Sequence, residues 1–162
     1  MTAQIANGGY KIYPKIVMDD ENKASPIDKF TPLYKNSMNI KIVQDAMFAS
    51  TNEVRGTSYR SRIDDPKYQF AGKTGTAQVK KITERDRELD LKTFQIPYEE
   101  RDHALYIAYG PYKNPRYAVS ILVEHGGNGS TTAAPMAKKL FKTIIDRHQL
   151  RESINNKKYL DI

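Results

Sequence analysis

Two runs of apolar, β-branched and aromatic residues on either side of a short turn constrain this 162-residue chain more than any other feature. The runs are Ala104–Tyr109 and Tyr117–Val123, and Gly110 to Pro115 joins them as a tight connection. Residues with strong strand preference, bounded by Gly and Pro, predict an antiparallel β-hairpin. We therefore expect a sheet built around this pair of strands.

An upstream segment, Tyr68 to Val79, predicts a third strand of a different kind. Its centre reads Gly-Lys-Thr-Gly-Thr, from Gly72 to Thr76, which is too rich in Gly and Thr for a packed core strand. Such a composition suits an edge strand that lies against a ligand.

Two helices complete the predicted architecture. The first is capped by Asn36 or Ser37 and runs to about Ser50. The second begins near Thr132, with Pro135 in its first turn. Apolar residues at helical spacing give each helix one buried face. These residues are Ile40, Val43 and Met47 in the first helix, and Ala133, Met136, Ala137, Leu140, Phe141, Ile144, Ile145 and His148 in the second. The expected fold class is α/β, an antiparallel sheet of about three strands with helices packed on it.

The remaining segments are interpreted from composition. Met1 to Gly9 is typical of the last turns of a helix closed by glycines, so we expect the chain to begin inside an element of a larger protein. Tyr13 to Met18 is expected to be extended, and residues 19–36 and 51–66 to form loops. Residues 80–102 carry 13 charges in 23 positions, which predicts a mobile excursion or a helical flap. We place a domain portion at residues 1–150 and a polar, flexible tail at 151–162.

The charge of the chain leaves several partners open. Lys and Arg number 26 against 19 Asp and Glu, a net charge of +7. This balance suits nucleic acid, an anionic membrane surface or a carboxylate-rich ligand. The basic residues are scattered among acidic ones, which favours a solvated surface, and a nucleic-acid-binding module remains the alternative of another class.

Other functional classes are excluded more firmly. The chain has no Cys, which excludes disulfides, thiolate zinc sites and a cysteine nucleophile. Three dispersed His residues (His103, His125 and His148) give no metal pattern, and we expect structural roles for them. The hairpin tyrosines are interpreted as sheet packing rather than as a base-stacking platform; they are Tyr106, Tyr109, Tyr112 and Tyr117. No cofactor and no metal are expected.

The segment Gly72-Lys-Thr-Gly75 invites comparison with a phosphate-binding loop. That motif requires Gly at position 67, which is Lys here, and this difference argues against a phosphate loop. In a strand, Lys73 places a positive charge beside a cleft, and the hydroxyl groups of Thr74 and Thr76 are donors for a carboxylate. Gly75 lets a ligand backbone approach the strand closely.

Several other motifs that follow one another in the chain make the interpretation of this segment more specific. They are Ala71-Gly-Lys-Thr-Gly-Thr-Ala-Gln78, Arg101-Asp-His-Ala-Leu-Tyr106, Ala118 to Glu124, Gly126-Gly-Asn-Gly-Ser130 and Ala133-Ala-Pro-Met136, with Ile5-Ala-Asn-Gly-Gly9 upstream. From about Met1 to Leu150 the chain resembles the C-terminal part of class B penicillin-binding proteins, above all the elongation-type penicillin-binding protein 2. The resemblance implies a fragment of the serine D,D-peptidase and β-lactamase-like fold.

The departures from the family pattern matter as much as the match. None of the eight serines is followed three positions later by Lys, so the family's nucleophile motif is not found here. Ser37-Met-Asn39 matches Ser-x-Asn by letters, but it lies only 36 residues before Lys73, and we interpret Ser37 as a helix cap. The nucleophile is expected to come from a missing N-terminal part of the same chain.

The resemblance implies the C-terminal, substrate-binding portion of a peptidoglycan D,D-transpeptidase that cross-links stem peptides by serine acyl transfer. It assigns catalytic roles to Lys73, in the electrostatics around the substrate carboxylate and the second-motif serine, and to Thr76, whose N–H is half of the oxyanion hole. It also assigns Thr74 and Thr76 to hydroxyl contacts with the carboxylate, next to Gly75 in the substrate-binding strand. The implied ligands are peptidoglycan stem peptides and β-lactams, and the implied partner is a cell-elongation polymerase. A fragment of a serine β-lactamase or β-lactam sensor is the alternative within the same fold.

The resemblance also implies a location and an exposed edge. The parent protein is expected in the inner membrane with a periplasmic catalytic domain, and the fragment itself is expected to be soluble and inactive.

The resemblance also implies how the strand Tyr117–Val123 is paired: in the family, the corresponding strand pairs on its outer side with strands that precede the nucleophile. We therefore expect this edge to self-associate, or to be filled by the segment Tyr13 to Met18.

Overall fold

The computed structural model describes residues 1–14, 31–81, 84 and 91–158. The helices are α1 (Thr2–Ala6), α2 (Ser37–Asn52) and α3 (Ala134–Lys158), the last preceded by a π-helical turn over Gly129–Ala133. The strands are β1 (Ala71–Ala77), β2 (His103–Gly110) and β3 (Tyr117–Val123). Among the described helices, none is long and apolar enough to cross a membrane.

The three strands form one antiparallel sheet in the order β1-β2-β3. Lys73 lies opposite Ile107 in the first pair of strands, and Ile107 lies opposite Ser120 in the second. The hairpin predicted from the two apolar runs is confirmed, and so is the edge position of the Gly- and Thr-rich strand within the described part of the chain. β1 is shorter than the predicted Tyr68 to Val79, because Tyr68 lies in the turn that precedes the strand.

Alternation along β2 divides the packing between the two faces of the sheet. Ala104, Tyr106 and Ala108 face α3 and are fully buried. Ile107 and Tyr109 face the opposite way, towards α1 and α2. The sheet therefore lies between two helical layers. The burial of Tyr106 and Tyr109 confirms the interpretation of these tyrosines as packing residues.

Helix α2 has the predicted start and a narrower buried face than predicted. The Asn36 side chain accepts a hydrogen bond from Met38 N at 2.9 Å, which identifies Asn36 as the cap. The helix continues two residues beyond Ser50, and Met47 and Thr51 are its buried residues. Val43 is 40% exposed, so its place in a buried face was predicted wrongly.

Helix α3 begins at Ala134, which places Pro135 in its first turn as predicted. The residues buried against the sheet are Ala133, Ala134, Ala137, Phe141 and Ile145. Phe141 stacks on Phe70 with ring centroids 4.9 Å apart. The predicted stripe was too broad, because Met136 and Leu140 are 47% and 39% exposed. The small Ala residues let the helix lie close to the sheet along one narrow row of contacts.

The end of α3 differs from the boundary that apolar spacing predicts. The helix extends to Lys158, so the expected polar tail from Arg151 is helical over its first eight residues. A polar helical turn needs no apolar face when its side chains pair with one another. Glu152 Oε1 lies 2.8 Å from His148 Nε2 and 3.1 Å from Arg116 Nη1, and the second contact links the turn to the residue that precedes β3.

The N-terminal segment carries α1 and then two glycines with positive φ, Gly8 at 92° and Gly9 at 88°, as expected for a helix closed by glycines. Tyr10 then forms an isolated antiparallel bridge with Pro32.

Most of the expected extended segment Tyr13 to Met18, and most of the loop at 19–36, lie outside the described residues. The same holds for the centre of the charged excursion at 80–102 and for residues 159–162.

Candidate functional site

The backbone of β1 presents hydrogen-bonding groups towards its open edge in a regular alternation. The Gly72 N–H donates to Thr51 Oγ1 at 3.1 Å on this outer side, and Asn52 Nδ2 donates to the Phe70 carbonyl oxygen at 2.9 Å. Residues in an antiparallel ladder turn both their N–H and C=O groups to alternate sides. The N–H and C=O groups of Thr74 and Thr76 therefore also point outwards.

The four residues predicted from the sequence lie together at this edge. Lys73 and Thr76 are exposed, while Thr74 and Gly75 are half-buried. Lys73 Nζ donates to the Thr74 carbonyl oxygen at 2.8 Å and lies 3.4 Å from Thr74 Oγ1. An ammonium group beside a threonine hydroxyl, a second, exposed threonine and two outward N–H groups on one strand form a site suited to an anionic, peptide-like ligand.

A buried cluster of hydroxyl groups holds β1 to the end of α2. Tyr106 Oη lies 2.9 Å from Thr51 Oγ1 and 3.1 Å from Ser58 Oγ, and all three side chains are buried. Burial raises the pKa of Tyr106 more strongly than its bonds to Ser58 and Thr51 lower it, so the phenol stays protonated at neutral pH. The cluster thus joins β2, α2 and the Gly72 backbone through neutral hydrogen bonds.

The loop from Gly56 to Ser58 is held tightly against the last turn of α2. A Cβ on Gly56 would lie 2.3 Å from the Ser50 carbonyl oxygen, so only glycine fits there. Ser58 donates to that same carbonyl through both its N–H and its Oγ, each at 3.0 Å. Between them, Thr57 is exposed, and its Oγ1 lies 3.3 Å from Thr74 Oγ1.

The turn after β3 supports β1 from the α3 side of the sheet. Gly129 packs so closely that a Cβ there would lie 2.4 Å from the Leu105 carbonyl oxygen and 2.6 Å from that of Gly75. His103 Nδ1 accepts a hydrogen bond from the His125 N–H at 3.0 Å, which fixes the start of the same turn. The expected structural roles of these two histidines are confirmed.

A cleft of about 630 Å³ opens beside this edge, between α2 and the sheet. Its wall is mostly apolar, with Ile42, Val43 and Met47 from α2 and Ile107 from β2. Lys73 and Thr57 also line it. A mostly apolar cleft with a few polar groups is the usual form of a small-ligand site.

Thr51, Thr57, Ser58 and Tyr106 were not identified as site residues from the sequence. Polar residues in a loop have no periodicity, and the Tyr106 contacts cross 48 to 55 positions of the chain. The available signal was the small-residue run Gly56-Thr57-Ser58 shortly before the Lys73 strand, which a loop assignment treats as a connection only.

Solved structures that match this arrangement of helices and sheet include penicillin-binding proteins. The structure superimposes on PBP2 from Helicobacter pylori, solved in complex with MreC, with a TM-score of 0.66 and 28% identity. That match covers 90% of this chain and 23% of the other. Pseudomonas aeruginosa PBP2 in complex with WCK 5153 gives a TM-score of 0.60 and 30% identity over 85% of this chain and 26% of that one.

Sequence comparison leads to the same family. Residues 1–145 match the family model described as the penicillin-binding protein transpeptidase domain, and the chain belongs to this family. It is 36% identical over 105 residues to the peptidoglycan D,D-transpeptidase MrdA of Salmonella typhimurium, and 39% identical over 101 residues to that of Haemophilus influenzae. These matches cover 65% and 62% of this chain, but only 16% and 15% of the relatives. The resemblance to the penicillin-binding protein 2 type is confirmed, as is the fold class.

Proposed function

We propose that this chain supplies the substrate-binding strand of a peptidoglycan D,D-transpeptidase that is also the target of β-lactams. The observation that carries the proposal is the outer edge of β1. There, the ammonium group of Lys73 lies beside the hydroxyl group of Thr74, Thr76 is exposed two residues further along, and both threonines turn their N–H groups outwards. Such an edge can pair with an extended peptide and hold its terminal carboxylate at the same time.

Each residue has a separate task in this proposal. Thr74 and Thr76 donate hydrogen bonds to the carboxylate, and the fixed charge of Lys73 lowers the free energy of the bound anion. Gly75 leaves room for the ligand backbone, since it places no side chain on the strand surface. The outward N–H of Thr76 donates to the oxyanion that develops on the attacked carbonyl.

The proposed reaction is acyl transfer. A serine hydroxyl attacks the carbonyl carbon of the penultimate D-Ala, the peptide bond to the terminal D-Ala breaks, and the leaving amine takes a proton. An amine of a second stem peptide then attacks the acyl-enzyme, forming the cross-link and releasing the serine. No serine here is followed three residues later by Lys, and the proposal therefore assigns the attacking serine to a part of the complete protein other than these 162 residues.

The relatives support the proposal and extend it. Proteins named peptidoglycan D,D-transpeptidase match the chain at 36% and 39% identity, although the chain spans only about a sixth of their length. For the complete protein we propose a membrane-anchored enzyme with a periplasmic catalytic domain and a cell-elongation polymerase as partner. The Helicobacter pylori PBP2 structure, which contains MreC, is a precedent for complexes of such relatives with other proteins.

The test is covalent labelling of the full-length protein by a fluorescent penicillin, read on a denaturing gel. We expect a stoichiometric band that unlabelled penicillin competes away, and no band for the isolated 162-residue chain. Thr74→Val should slow labelling by about 10- to 100-fold, the effect of losing a hydrogen bond to a charged group. Thr143→Val is the control, since its hydroxyl bonds only within α3. An unlabelled full-length protein, or unchanged kinetics in a folded Thr74→Val variant, contradicts the proposal.

A further inference from the structure

A row of three hydroxyl groups ends at Thr74. Ser50 Oγ lies 3.2 Å from Thr57 Oγ1, and Thr57 Oγ1 lies 3.3 Å from Thr74 Oγ1. The three residues come from the last turns of α2, the loop after it and β1. Ser50 and Thr57 line the cleft together with Lys73, so the row leads from the cleft to the strand edge that carries Thr74.

The position of Thr57 is fixed by its neighbours. Gly56 on one side fits against the Ser50 carbonyl oxygen only because it has no Cβ. Ser58 on the other side is buried and bonded to Ser50 O and to Tyr106 Oη. A residue held on both sides presents its hydroxyl group at a constant place, while its own side chain remains exposed.

Counting donors and acceptors shows which hydroxyl group in the row donates to which. A hydroxyl group donates one hydrogen bond and accepts up to two. If Thr74 donates its proton to an anion, its oxygen must accept from Thr57, and Thr57 in turn accepts from Ser50. Lys73 Nζ, a donor only, lies 3.4 Å from Thr74 Oγ1 and occupies the second acceptor position. All the hydrogen-bonding capacity of Thr74 is then used, with its proton aimed at the anion.

We propose that Thr57 is a positioning residue for carboxylate recognition: it donates to Thr74 Oγ1 and thereby orients the Thr74 proton towards the carboxylate of the stem peptide or β-lactam. The inference rests on the proposed function and assigns a new residue to that site. Hydrogen bonds in a row strengthen one another, so the donation from Thr57 also makes the Thr74 hydroxyl a better donor.

The test uses the full-length protein and the second-order rate of acylation by a fluorescent penicillin. Thr57→Val keeps the shape and removes the hydroxyl, and it should lower the rate about 3- to 10-fold, the effect of one neutral hydrogen bond. Thr57→Ser restores the donor and should restore most of the rate. Thr57→Ala provides a second hydroxyl-free variant if the valine is poorly accommodated, and Thr143→Val is the control on α3.

Two further measurements distinguish positioning from a general structural effect. Thr57→Val combined with Thr74→Val should be no slower than Thr74→Val alone, because Thr57 acts only through Thr74. With a penicillin methyl ester, which has no carboxylate, Thr57→Val should react as fast as the wild type.

These measurements distinguish failure of the Thr57 inference from failure of the proposed function. If the wild type is not acylated at all, the proposed function fails and this inference fails with it. If the wild type reacts but the Thr57→Val and Thr57→Ala rates match it, only the inference is overturned. Additive effects of the two substitutions, or an equal loss of rate with the ester, also overturn it.

Discussion

The Tyr106 hydroxyl lies directly above Gly72, where a Cβ on residue 72 would come within 2.3 Å of it. The ring has little freedom to move, since Thr51 and Ser58 hold its hydroxyl group by hydrogen bonds. The absence of a side chain at position 72 is therefore what allows β2 and α2 to be joined across the strand that carries Lys73.

Gly72→Ala should destabilise the transpeptidase domain by about 1–3 kcal/mol, as expected for overpacking a well-filled core. Thermal unfolding of the full-length protein measures the effect. Tyr106→Leu removes the obstructing atoms and lowers stability by itself, but adding Gly72→Ala to it should cost nothing further. Fully additive losses would show that the Gly72–Tyr106 contact is not the cause.

Tyr106→Phe should lower stability by about 1–2 kcal/mol, because two buried hydroxyl groups lose a partner. The variant should also change the response to alkaline pH. Burial raises the pKa of Tyr106 in the folded protein, whereas an unfolded tyrosine ionises near pH 10. Above about pH 10 the unfolded state binds fewer protons, so stability falls as the pH rises.

The Tyr106→Phe protein should lose less stability than the wild type between neutral pH and about pH 11, because it no longer contributes this proton linkage. Denaturant unfolding at several pH values measures the difference. Tyr13→Phe, at a position 72% exposed, controls for loss of a phenol at the surface and should leave stability at neutral pH unchanged. Parallel pH profiles of the wild type and Tyr106→Phe would contradict the account.

Gly129→Ala should impair the site from the opposite face of the sheet. Its Cβ would meet the carbonyl oxygens of Leu105 and Gly75, and backbone atoms within a sheet cannot turn aside as a side chain can. Displacement of β1 by a fraction of an ångström should slow penicillin acylation by roughly 10- to 100-fold. Ser130→Ala in the same turn adds no atoms and should retain nearly normal rates. Equal rates for Gly129→Ala and the wild type would contradict the proposed support.

The outer edge of β3 leads to a prediction about association. Lys73 bonds with Ile107 in the ladder, so by alternation Val119 bonds towards β2 and Ser120 points its N–H outwards. No strand among the described residues pairs with this edge, and Leu122 on β3 is 56% exposed. We expect the isolated chain to self-associate there.

Sedimentation of the isolated chain at several concentrations tests this association. Ser120→Pro removes the outward N–H without breaking a bond to β2, and it should shift the chain towards monomer. A chain that is strictly monomeric at every concentration, or that associates equally with Ser120→Pro, would refute edge pairing.

The parts of the fold that sequence predicted well are those with a repeating signal. β3 was predicted with its observed bounds and β2 to within one residue at each end, because apolar and β-branched residues are concentrated there. Helical periodicity was less informative about burial. It assigned Met136 and Leu140 to the buried face of α3, but both side chains are exposed. Which apolar residues of the helix are covered depends on how closely Ala133 and Ala137 approach the sheet.

The residues of the candidate site also include some that the sequence predicted and some that it did not. Lys73, Thr74, Gly75 and Thr76 were found because they are consecutive in the chain. Thr57 was missed because it meets Thr74 only after the loop has folded back over α2. That return path depends on a close contact at Gly56 and on bonds from Ser58 to a main-chain carbonyl, and the small-residue run that supplies them does not by itself indicate which strand the loop will meet.

The central claim is that the outward N–H of Thr76 stabilises the oxyanion, and a pair of substitutions tests it directly. Thr76→Ala removes the hydroxyl and keeps the N–H, whereas Thr76→Pro removes both without breaking a bond to β2. The decisive measurement is the acylation rate of the two folded full-length variants by penicillin. We predict that Thr76→Pro is about 100- to 1,000-fold slower than Thr76→Ala, the usual effect of losing one oxyanion donor. Ser120→Pro on the other edge should react normally, and equal rates for the two Thr76 variants would contradict the account.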